Sequence, residues 1–173
     1  MSATQNTHEL KHSNTHMTTR ISEVTLIRIV QSYYDAVDSM DADRLVSLYL
    51  PAPSTTLRFN ADPPIVTVEA IKAFSAQFFQ AVASIKHSMI EIWTNPLKGG
   101  VVPVDLPPLR PSSTVTVVST ALPTFSIRNA SGVTSVALPA TSIFTIDKQT
   151  KKFVSVHNMF DIAKLFAAVQ SST

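Results

Sequence analysis

Hydrophobic positions along the chain follow a helical rhythm up to Ala83 and a strand-like one beyond it. From Ile21 onward, Val24, Ile27, Ile29, Val30, Tyr33, Tyr34 and Val37 recur at three- and four-residue intervals, which predicts a helix with one buried face. Ser22 and Glu23 supply its N-cap region. Asp41 caps a second, short helix that turns Leu45, Leu48 and Tyr49 inward, and Pro51 and Pro53 stop it. Residues 55–59 are a short β-rich run, ended by the turn composition of residues 60–64. Thr67 caps a third helix, with Glu69 in its first turn and a stripe of Ile71, Phe74, Phe78, Phe79 and Val82. Residues 85–94, 114–127, 134–147 and 153–159 read as strands, with hairpin loops at 128–133 and 147–152. Residues 162–169 predict a closing helix.

Helices first and a meander last predict an α+β fold rather than a βαβ sheet. The expected shape is a curved antiparallel sheet packed against three N-terminal helices, with a cone-shaped space between them suited to a small molecule. Residues 1–20 are polar and read as a flexible tail, and residues 21–173 as a single domain. Within that domain, residues 95–113 hold Pro96, Pro103, Pro107, Pro108 and Pro111 and read as a proline-rich insertion.

Composition narrows the chemistry. The 173 residues contain no Cys, which excludes disulfides, thiolate metal sites and a cysteine nucleophile. The 3 Gly form no phosphate-cradling loop. With 14 Lys plus Arg against 12 Asp plus Glu, the net charge is only +2, so no nucleic-acid partner is expected. No apolar run is long enough to span a bilayer and no secretory segment opens the chain, so a cytoplasmic protein without a membrane partner is expected. Charged residues are 15% of the chain, against roughly 25% in an average domain. So few charges imply two apolar surfaces, an inner cone and an outer sheet face, and hence a homodimer. His8, His12 and His16 recur every fourth residue, but in a tail with poor helix propensity, so no metal is expected there. No organic cofactor is implied either.

Several runs resemble the nuclear transport factor 2-like superfamily. Tyr33-Tyr34-Asp35-Ala36-Val37-Asp38 followed by Asp43-Arg44-Leu45-Val46-Ser47-Leu48-Tyr49 resembles its opening pair of helices. Thr56-Leu57-Arg58-Phe59-Asn60 fits its first strand, Ile85-Lys86-His87-Ser88 its next, and Val156-His157-Asn158-Met159-Phe160 its closing one. The resemblance spans residues 21–169 in order, and implies the cone-shaped, cystatin-like roll. It points to the SnoaL-like and scytalone dehydratase-like branch, because His157-Asn158 stands where the transport factor carries Asn-Asp. Against scytalone dehydratase, Asp38 and His87 match the pocket aspartate and the first of two pocket histidines. The second histidine has no counterpart, and Val37 and Ala61 stand where that enzyme has tyrosines, so the same dehydration of the same substrate is not expected.

The resemblance implies an inward-facing His87 acting as general base or acid, with Asp38 orienting its ring. Strand alternation gives a conflicting picture, since Ser88, Ile90 and Ile92 form the more apolar face. Structural roles are the alternative for both residues. Tyr34 or Arg58 would stabilise developing negative charge, while Tyr33, Met89, Trp93, Phe125, Phe144 and His157 would line the substrate site. The expected function is cofactor-free dehydration, isomerisation or cyclisation of an apolar polyketide- or terpenoid-like molecule. The alternative is a non-catalytic binding or adaptor module working through a dimer interface.

Overall fold

The computed structural model describes residues 21–94, 113–129 and 132–170. The N-terminal tail with its three histidines, and residues 95–112 of the proline-rich insertion, lie outside the described residues.

Helix α1 (Glu23–Asp38) starts where Ser22 accepts a hydrogen bond from the Thr25 N–H, and α2 (Ala42–Ser47) where Asp41 accepts one from Arg44. The inward face of α1 is Leu26, Val30, Tyr33, Tyr34 and Ala36. Val24, expected on that face, is 58% exposed, because the row one turn on from Leu26 defines the buried stripe. Strand β1 (Thr56–Phe59) pairs with a two-residue strand, β2 (Ile65–Val66), too short to show alternation in the sequence. Helix α3 (Val68–Ala81) is capped by Thr67 as expected and buries Ile71, Ser75 and Phe79 at every fourth position.

Five strands follow: β3 (Ser84–Trp93), β4 (Thr114–Asn129), β5 (Gly132–Ala137), β6 (Ala140–Asp147) and β7 (Phe153–Phe160). The run 134–147, read as one strand, is two. Leu138 and Pro139 interrupt it, Leu138 being buried and donating its N–H to the Pro123 carbonyl. Thus the 16-residue β4 pairs with β6 along residues 114–121 and with β5 along 124–129. The sheet order is β2-β1-β7-β6-β4-β3, with β5 beside β4. It is curved and unclosed, and antiparallel but for the parallel pair of β1 with β7. That exception is possible because the whole chain between them serves as the crossover. Helices α1 to α3 lie together against the sheet, and α4 (Ile162–Gln170), capped by Asp161, packs on β4 and β5. Among the described residues no helix is long and apolar enough to cross a membrane.

A β-bulge removes the conflict over β3. Residues 84–88 pair with 126–122, but Glu91 pairs with Thr120, so one extra residue enters β3 between Ser88 and Glu91. Met89, in the left-handed region at φ 49°, marks it. Before the bulge, Ile85 and His87 sit opposite Phe125 and Pro123, which face inward on β4. Past it the inward position passes to Ile92, opposite the buried Ser119, while Trp93 turns out. Both sequence-based readings of the strand therefore hold, each for one half.

A left-handed conformation disfavours any residue with a Cβ by about 1 kcal/mol, and β-branched ones more. Met89→Asn is therefore expected to leave stability unchanged or raise it, and Met89→Val to lower it by about 1 kcal/mol, both read by urea unfolding.

Candidate functional site

Between the helices and the sheet lies one pocket whose wall includes the inward half of β3. Tyr33, Tyr34, Leu45, Leu57, Ser142 and Asn158 are buried and form its deep part, with the His87 ring in the wall. Counted out to its open mouth the space is about 610 Å³, but only about 60 Å³ of it is wide enough for the centre of a water molecule. That admits several waters, so a larger ligand needs side chains at the mouth to move.

Asp38 is the last residue of α1, and its carboxylate reaches across to β3. It accepts the His87 backbone N–H at 3.1 and 3.2 Å through its two oxygens, and approaches His87 Nδ1 at 2.6 Å. The carboxylate accepts only, so the contact assigns the proton to Nδ1 and leaves Nε2 with its lone pair in the neutral ring. Burial pulls the His87 pKa below its ordinary value, and the Asp38 contact opposes this without reversing it. The neutral imidazole is thereby favoured near pH 7. The Tyr34 ring lies beside it, with centroids 4.7 Å apart.

A chain of buried polar groups runs behind these two residues. The Tyr34 hydroxyl pairs with Ser119 Oγ at 2.5 Å. Ser142 donates to Asn158 Oδ1 at 2.8 Å, and Asn158 Nδ2 donates to the Tyr33 hydroxyl at 2.9 Å. The fully buried Tyr49 hydroxyl lies next to that of Tyr33 but finds no partner in hydrogen-bonding geometry. Burial raises the pKa of all three tyrosines, so each stays a neutral hydroxyl across the physiological range.

Of the residues expected at the site, Asp38 and His87 meet, and Tyr33, Tyr34 and Phe125 line the same pocket. The others lie elsewhere. Met89 and Trp93 are 78% and 44% exposed, since the bulge sends that half of β3 outward. Phe144 is fully buried among Tyr33, Tyr34 and Phe153 and forms core beneath the pocket. The Arg58 guanidinium donates to the Asp62 and Ala61 carbonyls and so holds the turn after β1. His157 turns away from the pocket, its Nε2 on the Asn60 carbonyl at 2.7 Å, and its neighbour Asn158 points in. Ser119 and Ser142 escape a reading of the sequence. Their signal is a small polar residue on the inward register of an otherwise apolar strand, visible only once that register is known.

His87 binds a proton less readily in the native state than in the unfolded chain. Its contribution to stability is therefore complete above the unfolded value of about 6.5 and is lost as the pH falls through the window below it. An NMR titration of the imidazole is expected to show the Nδ1–H tautomer and a pKa below that of a free histidine. Asp38→Asn, which removes the opposing charge, is expected to lower it further.

The sequence pattern of the Nuclear transport factor 2 (NTF2) domain matches residues 27–105. No curated protein sequence matches the chain. Among solved structures, a protein described as a SnoaL-like polyketide cyclase from Shewanella denitrificans superposes with a TM-score of 0.62 at 13% identity, covering 87% of this chain and 99% of that one. BvnE pinacolase from Penicillium brevicompactum gives 0.60 at 14% identity, covering 87% and 94%. AusH from Aspergillus nidulans gives 0.57 at 14%, covering 81% and 86%. At such identities the likeness is one of fold. Over residues 27–105 the chain is similar to the nuclear transport factor 2 domain, and its fold is shared with SnoaL-like proteins.

Proposed function

We propose that this protein is a cofactor-free acid/base enzyme acting on an apolar, oxygenated small molecule held between helices and sheet. The observation that carries the reading is the His87–Asp38 pair: an imidazole in the pocket wall, its Nδ1–H bound by a carboxylate and its Nε2 left basic. In the proposed step Nε2 takes a proton from a carbon next to a substrate carbonyl. The electron pair of the broken C–H bond moves onto the carbonyl oxygen, giving an enolate. The Tyr34 hydroxyl, carried on the ring beside His87, is the donor assigned to stabilise it, and the Ser142–Asn158 pair supplies further polar contacts. The imidazolium, steadied by Asp38, then returns its proton. Delivered to another carbon, the proton completes an isomerisation; delivered to a departing hydroxyl, it releases water and completes a dehydration. BvnE, named as a pinacolase, shares the fold and so supports an enzymatic reading.

Incubation of wild-type protein and His87→Ala with an apolar extract of the producing cells, followed by mass spectrometry, tests this. The wild type is expected to deplete a compound and yield a product of equal mass or one water lighter, with the variant slower by at least 100-fold. Identical profiles from both proteins overturn the reading.

A non-catalytic binding module is the second reading, and the exposure of Met89 and Trp93 on β3 favours an outer-face partner. A homodimer through that face is compatible with either function, because it leaves the pocket free. Light scattering at micromolar concentration is expected to give twice the chain mass, and Trp93→Glu to give monomers.

A further inference from the structure

Five phenylalanines that line the pocket form a closed ring of rings. Phe59 meets Phe74 at a centroid distance of 5.4 Å, Phe74 meets Phe78 at 6.2 Å, and Phe78 meets Phe125 at 6.2 Å. Phe125 then meets Phe160 at 5.9 Å, and Phe160 closes the circuit on Phe59 at 6.0 Å. The five come from β1, α3, β4 and β7, so no local sequence pattern brings them together. Burial assigns the ring its place. Phe59, Phe74, Phe78 and Phe160 are only partly buried, whereas the polar residues Tyr33, Tyr34, Ser142 and Asn158 are buried. The ring is therefore the mouth and the polar residues are the floor.

Its packing is uneven. Phe74 lies nearly parallel to Phe78 (6° between planes) and Phe125 to Phe160 (26°), while Phe160 meets Phe59 edge-on at 89°. Phe125 is fixed in the core at 4% exposure. The partly buried rings reach solvent on one side and can rotate outward toward it. They also have reason to move, because the pocket as it stands admits only water-sized occupants.

We propose that this phenylalanine ring is the access gate of the pocket, and that Phe78 and Phe160 are its specificity-determining residues. Both flank the immobile Phe125, so their rotation opens the mouth. A flat apolar molecule passes by replacing a ring–ring contact with a ligand–ring contact of the same kind. A molecule thick in all directions breaks several contacts and replaces none. The gate rests on the reading above that the pocket takes an apolar ligand, and adds what controls its admission.

A gate and a mere wall differ in kinetics. Loss of a wall contact weakens binding through faster release, whereas loss of a gate speeds capture and release together. The neutral fluorophore N-phenyl-1-naphthylamine, mixed with protein by stopped flow, reads both rates. An Ala140→Trp variant, which fills the pocket beside Phe160, supplies the signal from outer-surface binding to be subtracted. Phe78→Leu and Phe160→Leu keep most of the packing volume, and circular dichroism checks that they fold. Each is expected to raise the association rate at least fivefold while Kd changes less than threefold. Probe binding at equilibrium to a variant but not to the wild type reports an enlarged pocket and overturns the gate. An unchanged association rate with faster dissociation overturns the gate. That outcome leaves the proposed chemistry standing if His87→Ala still abolishes conversion of the extract. Binding to none of the proteins overturns the gate and the ligand pocket together.

Discussion

The carboxylate of Asp38 joins the end of helix α1 to strand β3 in the wall of the site. It ends α1, where the helix dipole disfavours a negative charge. The three contacts it receives from His87, two from the backbone N–H and one from Nδ1, offset that cost. Because one group accepts from both backbone and ring, it fixes the position of β3 against α1 and the tautomer of the imidazole at once. The tilted packing of Tyr34 against His87, and with it the polar end of the pocket, follows from this anchor.

The polar chain behind the dyad runs against ordinary core design. Ser119, Ser142 and Asn158 occupy inward positions of strands whose other inward residues are apolar, and Tyr33, Tyr34 and Tyr49 bring hydroxyls into the same region. Most of these groups satisfy one another, and the Tyr49 hydroxyl lies beside that of Tyr33 without reaching hydrogen-bonding geometry. A core built for stability alone would use Val, Ala and Phe at these positions. The aromatic bodies of Tyr33 and Tyr49 recover part of the loss by edge-on packing with Phe153. The outcome is a pocket with a polar floor, fixed by hydrogen bonds, beneath an aromatic mouth held by weaker, exchangeable contacts.

Much of this was legible residue by residue. Ser22, Asp41 and Thr67 were readable as helix caps, because capping needs only a side chain and an N–H three residues on. Asp38 and His87 stood out through resemblance, although 49 residues separate them. The errors in the site share a cause. Strict alternation along β3 places Met89 and Trp93 on the wall, and a single inserted residue turns them outward. Arg58 and His157 were chosen for their chemistry, and backbone carbonyls of the turn after β1 occupy both.

Most of the elements, their order and the residues able to carry acid/base chemistry are legible in the chain itself, because these depend on local periodicity and on side-chain type. Which of them meet depends on the folded arrangement. The bulge at Met89 chose the face of His87, the break at Leu138 and Pro139 gave β4 two partners on one edge, and the fold closed five distant phenylalanines into a ring. Each is a matter of register between segments far apart in the chain, and a shift of one residue reverses every inward and outward assignment beyond it.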